Sequence, residues 1–553
     1  MFGEAAAIRN GETTFALRHT TPAGNGSLDW SPLFSVSSLS HAAQRIRESV
    51  HVVLDNSSKC VGLAFGGETG RARITDHEAF ELLGTLPPLY PEWLGDRSFS
   101  ARHGTRFPYV AGEMANGIAT TRLVVALAEA DLLGFFGAAG LETHRVERGV
   151  AELVGKLGSR RNWGVNLIHS PNAPRQEDSV ADILLTRGVP NVSASAFMAL
   201  TPAVVRCSAS GLTTDRQGRI LRRTGLFAKV SHPGVAEQFM SPAPPEILRT
   251  LVDRQLITAR EAELAARVPV AEDVTVEADS GGHTDNRPLA VVLPVVLALR
   301  DMLTTRFGYA EPIRVGAAGG LGTPEAVAAA FALGAAYVVT GSINQVALEA
   351  GLSQDAKTLL GQADIADVAM ASSADMFELG VKVQVLRRGT MFANRANRLY
   401  EAYRSYDALE AIPAHERTRI ERDVLHDTFE ASWARTVTYW RGRDPAELDR
   451  AEQDPKHRMA LVFRSYLGQS SRWAVTGETS RRTDYQIWCG PAMGAFNRWT
   501  QGGFLALPEN RTVVQIARNL LEGAAVATRI HQLRSYGVPI PATAFGFRPR
   551  QLS

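Results

Sequence analysis

From about residue 106, short apolar runs alternate with longer amphipathic stretches along the chain. Eight of the runs are bounded by polar, Gly or Pro residues and are predicted to be buried strands, at residues 109–112, 132–136, 163–168, 191–197, 226–230, 274–278, 313–317 and 336–340. Between them the pattern predicts helices, for example at residues 119–129, 146–157, 288–306 and 324–333. Such alternation is typical of βα units on a parallel sheet. In this α/β chain, eight units favour a closed (β/α)₈ barrel over an open Rossmann sheet of about six strands.

The pattern differs on either side of this region. Residues 1–100 are predicted to form a small α/β module, with a strand pair at 51–54 and 61–65 and a Pro-rich boundary at 87–91. Residues 101–386 would form the barrel, and residues 387–505 a charged helical region that covers one end of it. Residues 506–553 would contain a long amphipathic helix that packs back on the barrel.

Composition excludes several classes of protein. The chain has 553 residues, and its 59 Lys and Arg against 57 Asp and Glu leave a net charge of +2, too balanced for an electrostatic nucleic-acid binder. The three cysteines are isolated, which argues against a disulfide scaffold or a structural zinc site. There is neither a signal-peptide pattern nor an apolar run long enough for a membrane span. We therefore expect a cytoplasmic protein that binds neither nucleic acid nor membrane.

In a barrel of this kind the active site forms where the strands end at their carboxyl side. Small, polar and ionisable residues collect there: Met114, Ala115, Asn116 and Gly117 after the first strand, Asn166 in the third, Ser195 in the fourth, Lys229 in the fifth, and Glu277, Gly281, Gly282 and His283 in or after the sixth. We therefore predict that these residues converge on one site.

The ends of the last two strands carry a pair of small-residue turns, Gly319-Gly320 and Gly341-Ser342. Glycines allow backbone N–H groups to approach an anion, and barrels commonly bind phosphate at these two strands. A single Gly-Gly pair would be interpreted as a tight turn. Two such turns on neighbouring strands favour a ligand that carries a phosphate.

Lys229 stands out because only six of the 59 cationic residues are lysine and this one lies in an apolar strand. A buried ammonium is costly unless it is paired or bound to an electron-rich group. One interpretation is that Lys229 reaches solvent or pairs with a carboxylate such as Glu277. The other places the cation beneath an electron-accepting ring, where it stabilises the negative charge of the reduced ring.

His283 follows a Gly-Gly step directly after the sixth predicted strand. A lone histidine is usually structural or solvated, but this loop would point into the site, where imidazole can exchange protons near neutral pH. The alternative is a metal site shared with Asp279 and Glu277. No second histidine lies at ligand spacing, so we expect no metal.

These motifs resemble the flavin-dependent class that includes nitronate monooxygenases and FMN-dependent enoyl-acyl-carrier-protein reductases. Longer strings are similar to the PfaD family, the trans-acting enoyl reductases of polyketide and polyunsaturated fatty acid synthases. The strings are residues 166–171, 193–197, 277–287, 340–345, 374–378 and 485–491. The resemblance extends from about residue 87 to about residue 537.

The resemblance implies a TIM barrel that holds FMN and reduces an α,β-unsaturated thioester on an acyl carrier protein, with NADPH or NADH as hydride donor. A homodimer is common for related barrels, but the sequence leaves the oligomeric state open. The Met114–Gly117 loop, Ser195, Glu277, Gly281 and Gly282 would surround the flavin. Asn166 and Lys229 would contact its polar edge, Gly319, Gly320, Gly341 and Ser342 would hold the phosphate, and His283 would be the active-site histidine.

Two other functions are consistent with the same residues. A nitronate monooxygenase would use His283 as a base and oxygen as the oxidant on the same flavin barrel, although the added helical region favours a larger substrate. A non-catalytic scaffold that docks carrier proteins would hold no flavin, which the paired phosphate turns argue against.

Overall fold

A small antiparallel sheet lies before the barrel in the described part of the chain. The computed structural model describes residues 32–66, 80–171 and 173–552. In it β1 (Val50–Asp55) pairs with both β2 (Val61–Phe65) and β3 (Phe80–Leu86). The predicted strand pair is thereby confirmed. Residues 1–31 and 67–79 of the predicted N-terminal module lie outside the described residues.

Eight parallel strands then close into a barrel, as the sequence predicts. In chain order they are β4 (Tyr109–Ala111), β5 (Leu133–Phe136), β6 (Trp163–Ile168) and β7 (Asn191–Ser195), then, after a short hairpin of β8 (Thr213–Thr214) and β9 (Ile220–Leu221), β10 (Gly225–Val230), β11 (Asp273–Glu277), β12 (Arg314–Ala318) and β13 (Val338–Thr340). Pairing of β13 with β4 and of β7 with β10 completes the ring. An antiparallel hairpin of β14 (Val368–Ser372) and β15 (Lys382–Leu386) follows the barrel.

Nineteen α-helices accompany these strands in the described part of the chain. They are α1 (Val36–Ala42), α2 (Arg97–His103), α3 (Thr121–Glu129), α4 (Thr143–Leu157), α5 (Pro174–Thr186), α6 (Pro202–Ala209), α7 (Pro233–Met240), α8 (Pro245–Asp253), α9 (Ala259–Ala265), α10 (Leu289–Phe307), α11 (Pro324–Ala332), α12 (Gln354–Gly361), α13 (Phe392–Ser405), α14 (Ala414–Ile420), α15 (Phe429–Arg441), α16 (Ala446–Gln453), α17 (Pro455–Thr476), α18 (Ala492–Thr500) and α19 (Val513–Ser535).

Two large cores are present among the described residues. The first lies between the barrel strands and their helices and includes the buried face of α19, which packs against α11. The second joins the β14–β15 hairpin to α13, α15 and α17, and its members include Phe377, Val385 and Phe463. The hairpin therefore shares a core with the helical region. The boundaries of the four predicted domains stay predictions.

The barrel interior is filled by side chains. Phe99 of α2 stacks on Tyr337, with ring centroids 4.5 Å apart, and the edge of Phe227 packs against both rings. At the amino-terminal end of the barrel, buried Asp273 receives hydrogen bonds from Arg314 Nε at 2.6 Å and Nη2 at 2.8 Å and lies 2.9 Å from His103 Nε2. This charged cluster is thus at the end of the barrel opposite to the carboxyl ends of the strands, where the sequence predicts the site. No helix within residues 32–66, 80–171 and 173–552 is long and apolar enough to span a membrane.

Candidate active site

A cavity of about 1550 Å³ opens at the carboxyl ends of the barrel strands. Ligand pockets usually enclose about 300–1,000 Å³, so this one has room for a cofactor and a substrate together. The sequence-predicted residues that line it are Met114, Ala115, Asn116, Asn166, Ser195, Lys229, Glu277, Gly281, Gly282, His283, Gly319, Gly320, Gly341 and Ser342. Gly117 is not part of the lining. A Cβ at Gly117 would lie 3.7 Å from the side chain of Leu141, which does line the cavity.

Strand pleating explains why charged side chains point into the barrel. Side chains two apart on a strand share a face, and Phe227 of β10 belongs to the interior cluster, so Lys229 also points inward. Likewise Thr275 of β11 bonds the hydroxyl of interior Tyr337 at 2.8 Å, which places Glu277 on the inner face. The two side chains meet above the apolar interior.

Lys229 forms the centre of a buried charge cluster. Its Nζ lies 2.9 Å from Oε1 of Glu277 and 3.5 Å from Oε1 of Glu113. The pairing with a carboxylate considered for Lys229 is therefore observed. Burial lowers the pKa of Lys229, but Glu113 and Glu277 raise it by more, so the net shift is upward and the ammonium stays charged. Burial raises the pKa of Glu113 despite the cation beside it.

Three polar side chains extend this cluster across β6 and β7. Ser193 donates to Glu113 with O···O distances of 3.0 and 3.1 Å. Asn166 donates through Nδ2 to Ser195 Oγ at 2.8 Å and to the Ser193 carbonyl at 3.1 Å. The Asn166 Oδ1 is buried and has no hydrogen-bond partner among the described residues. It is an acceptor available to a ligand N–H.

The two glycine turns form an open cradle. Gly319 has φ +87°, and a Cβ there would lie 2.8 Å from the Ala278 carbonyl carbon, so only glycine permits this close approach. Gly320 has φ +73°, and neither its Cβ position nor that of Gly341 has any protein atom within 4 Å. Ser342 Oγ accepts a hydrogen bond from the Gly490 N–H at 3.1 Å, and its own hydroxyl hydrogen can still be donated to a ligand. The cradle and the Asn166 acceptor fit a flavin that carries a phosphate.

His283 contacts two side chains that come from beyond the barrel strands. Its Nε2 is 3.0 Å from Ser373 Oγ and 3.2 Å from Asp375 Oδ1. The loop before it is packed tightly, since a Cβ at Gly281 would lie 2.7 Å from the Cys489 nitrogen. Burial lowers the pKa of His283 but Asp375 raises it by more, so the net shift is upward.

Metal ligation has no geometric support in the described ranges. No group of three or more His, Cys, Asp or Glu side chains there is arranged to hold an ion. Of the two carboxylates considered as ligands beside His283, Glu277 pairs with Lys229, and Asp279 accepts from Gln384 at 3.0 Å and Asn286 at 3.1 Å.

Sequence reasoning missed four parts of the site. Glu113 follows the first barrel strand directly, and its position alone was a usable signal. His169 lies at the end of β6, 3.0 Å from Glu177, and also lines the cavity. Ser373 and Asp375 come from outside the barrel strands, and although Asp375 lies in the string 374–378, no strand-end position marked either residue as part of the site. The fourth part is a set of arginines in the cavity lining: the mostly buried Arg464, and the exposed Arg145, Arg175, Arg435, Arg443 and Arg472, which define the mouth.

Comparison with a solved structure decides the family. The chain matches the enoyl reductase domain of MlnA, from the macrolactin biosynthesis cluster of Bacillus amyloliquefaciens, with 34% identity and a TM-score of 0.77. The match covers 80% of this chain and 99% of that domain. The chain belongs to the PfaD family of enoyl reductases. The family and the TIM-barrel fold that the sequence motifs indicated are both confirmed.

Curated relatives of this PfaD-family chain are longer proteins. One of the polyunsaturated fatty acid synthase subunits of a Thraustochytrium species is 45% identical over 80% of this chain and 30% of its own length. Polyketide biosynthesis protein PksE of Bacillus subtilis is 42% identical over 79% of this chain and 56% of its own length. The chain thus spans only about a quarter to a little over half of the curated relatives it matches.

The helical region of this PfaD-family chain has a separate match. Residues 406–485, which include α15 and α17, match the family model described as the inserted helical domain of acyl-carrier-protein S-malonyltransferase. The sequence pattern predicted a helical region here but gave no sign of a relation to another enzyme.

Proposed function

We propose that this chain is an FMN-dependent enoyl reductase that reduces the α,β-double bond of thioesters carried by an acyl carrier protein, with NADPH or NADH as donor. The observation that carries the proposal is one cavity that combines a glycine cradle, a buried acceptor and a histidine. The similar solved structure described above is an enoyl reductase domain, which supports the same activity. No contact among the described residues specifically favours the alternative function, a nitronate monooxygenase.

The chain's own residues fit each part of the cofactor. Gly319, Gly320, Gly341 and Ser342 would hold the phosphate through the open cradle. Asn166 would accept from the ring, and Met114, Ala115 and Asn116 would line the wall beside it. When bound, FMN supplies hydride transfer between the nicotinamide and the β-carbon of the substrate.

Lys229 and His283 would divide the remaining work. The Lys229 ammonium stays charged between Glu277 and Glu113, and it would place a cation at the point where negative charge develops on the ring. Hydride addition at the β-carbon leaves an enolate that needs a proton at the α-carbon. His283 would deliver it as a general acid. Both observed contacts of His283 use Nε2, so we assign delivery to Nδ1.

The mouth of the cavity would receive the carrier protein. Arg435 pairs with Asp427 and Arg464 with Glu378, whereas Arg145, Arg175, Arg443 and Arg472 have no carboxylate within 4.0 Å among the described residues. The acidic residues Glu142 and Asp444 at the mouth do not balance them. Arginine is well suited to the phosphate of a carrier's pantetheine arm. The helices that bear Arg435, Arg464 and Arg472 lie in the segment similar to a carrier-dependent transferase, which supports the same partner.

One assay tests the proposal. Crotonyl-N-acetylcysteamine or crotonyl carrier protein is added with NADPH, and cofactor oxidation is followed with and without added FMN. We expect oxidation that depends on both the enoyl thioester and FMN. Anaerobic bleaching of the flavin by a nitronate but not by NADPH would favour the monooxygenase, and a protein that binds no FMN would favour the scaffold.

A further inference from the structure

His283 is completed by residues from outside the barrel. The histidine lies in the loop after β11, whereas Ser373 and Asp375 lie in the segment between β14 and β15, 90 and 92 residues further along the chain. His283 Nε2 contacts both side chains, and Ser373 Oγ donates to Asp375 Oδ1. The three groups form one connected cluster on the cavity wall.

The helical region holds the loop that carries these partners. Arg464 of α17 donates through Nε to the Ala374 carbonyl at 2.9 Å and pairs with Glu378 at 3.0 Å. Two residues after Asp375, Phe377 is fully buried in the second core, where its ring packs against Tyr403 at a centroid distance of 5.2 Å. A backbone bond from Ser373 N–H to the Val381 carbonyl, 3.0 Å, closes the loop. Asp375 is thus presented from a fixed segment.

The cluster contains Ser, His and Asp but is not arranged as a hydrolase triad. A triad histidine contacts the serine with one ring nitrogen and the carboxylate with the other. Here both partners use Nε2, so Ser373 is not activated as a nucleophile. The geometry instead orients the ring from one side.

We propose that Asp375, with Ser373, is the positioning pair of His283, fixing the imidazolium through Nε2 so that Nδ1 is presented to the substrate. The inference rests on the proposed function in one respect, namely the assignment of His283 as proton donor. Asp375 and Ser373 act through His283 and touch neither substrate nor cofactor in this scheme. The helical region would therefore contribute to the chemistry as well as to the cover of the site.

Charges around His283 agree with this role. Burial lowers its pKa, as does the Lys229 ammonium, whereas Asp375 and Glu277 raise it, and the net shift is upward. Burial raises the pKa of Asp375, but its contacts with His283 and Ser373 lower it further, to about 2, so this carboxylate is ionised at neutral pH. If the charge of Asp375 is removed, Glu277 is the remaining carboxylate that raises the pKa of His283.

The test measures His283 protonation without substrate. Full-length protein reconstituted with FMN is treated with diethyl pyrocarbonate, which modifies neutral imidazole, and modification of His283 is followed by mass spectrometry against pH. We expect Asp375→Asn to move the midpoint to lower pH and to reduce turnover at pH 8 at least about tenfold, while flavin content is kept. Ser373→Ala, which keeps the carboxylate, should shift the midpoint less.

Asp285→Asn is the matched control, because it removes an exposed carboxylate two residues from His283. It should leave the midpoint and the pH–rate profile unchanged. An unchanged midpoint in Asp375→Asn, or an equal shift in Asp285→Asn, would overturn the inference. Because the modification needs no enoyl substrate, absence of reductase activity in the unmodified enzyme would count against the proposed function only.

Discussion

The Nζ of Lys229 lies 2.9 Å from Oε1 of Glu277 inside the barrel, at the floor of the cavity. With Glu113 the cluster holds one cation and two carboxylates, all largely shielded from solvent. Buried charges of this kind are retained only when they are paired. The position of the cluster beneath the open cavity explains why a costly arrangement occurs here.

Replacing Lys229 by Met should weaken FMN retention and shift the flavin reduction potential. The substitution keeps most of the length of the side chain but leaves Glu113 and Glu277 without their cation. These carboxylates then repel each other and an anionic reduced ring. Flavin absorbance after gel filtration and a spectroscopic redox titration measure both effects. Lys382→Met, at an exposed position on β15, should change neither. Equal flavin content and potential in the two variants would contradict the assignment.

The variant His283→Ala should bind FMN normally but turn over enoyl thioester about 10²–10⁴-fold more slowly, the usual contribution of a general acid. The imidazole lies on the cavity wall and is not part of the glycine cradle, so cofactor binding does not depend on it. Steady-state NADPH oxidation with crotonyl-N-acetylcysteamine measures the loss. Unchanged turnover in the purified, flavin-loaded variant would exclude His283 as the proton donor.

A side chain at Gly320 should reduce FMN affinity by at least about tenfold, because its Cβ would enter the open cradle. Gly218→Ala is a matched control: its φ of +80° is similar, its Cβ position also meets no atom within 4 Å, and it lies in the β8–β9 turn. Both variants should lose about 1 kcal/mol of stability from backbone strain. Fluorescence titration of apoprotein with FMN should then show weaker FMN binding by Gly320→Ala than by Gly218→Ala. Equal affinities in the two variants would contradict the role of the cradle.

Charge reversal at the mouth, in the double variant Arg443→Glu with Arg472→Glu, should raise KM for crotonyl carrier protein several-fold. KM for crotonyl-N-acetylcysteamine should stay within about twofold, because this thioester has no phosphate. The control is Arg249→Glu, at an exposed position of α8 outside the cavity lining, and it should change KM for neither substrate. A parallel rise in both KM values would show that the mouth does not recognise the carrier.

Loss of the Asp273 carboxylate should destabilise the barrel. Asp273→Asn removes the buried carboxylate that pairs with both Arg314 and His103, and breaking a buried pair typically costs about 3–5 kcal/mol. Burial raises the pKa of Asp273, but Arg314 and His103 lower it further, so its stabilisation exists above the unfolded pKa of about 3.9 and is lost as pH falls below it. Urea unfolding at pH 7 measures the free energy of unfolding that Asp273→Asn loses. The same measurement at lower pH shows how far this difference between the variant and the original protein decreases. Exposed Asp301→Asn should differ from the original protein by less than about 0.5 kcal/mol.

Much of the fold follows from local pattern. Strands buried on both faces are continuous apolar runs, and helices between them force parallel pairing, so eight runs were enough to predict the barrel. The carboxyl ends of parallel strands must lie together, which is why Lys229, His283 and the two glycine turns could be placed at one site from the sequence alone. Gly117 is the exception, since it is absent from the cavity lining although its neighbours Met114, Ala115 and Asn116 belong to it.

The partners of these residues depend on tertiary packing. Whether Lys229 pairs with Glu277, Glu113 or a ligand is decided by side-chain distances of a few ångströms, which strand order does not specify. Asp375 meets His283 only because the hairpin of β14 and β15 packs into the second core and Arg464 anchors its loop. Sequence alone thus identified many of the groups at the strand ends that face the cavity, but not those that come from outside the barrel strands. The three-dimensional packing decides which of them touch, because electrostatic and hydrogen-bond energies fall steeply with distance.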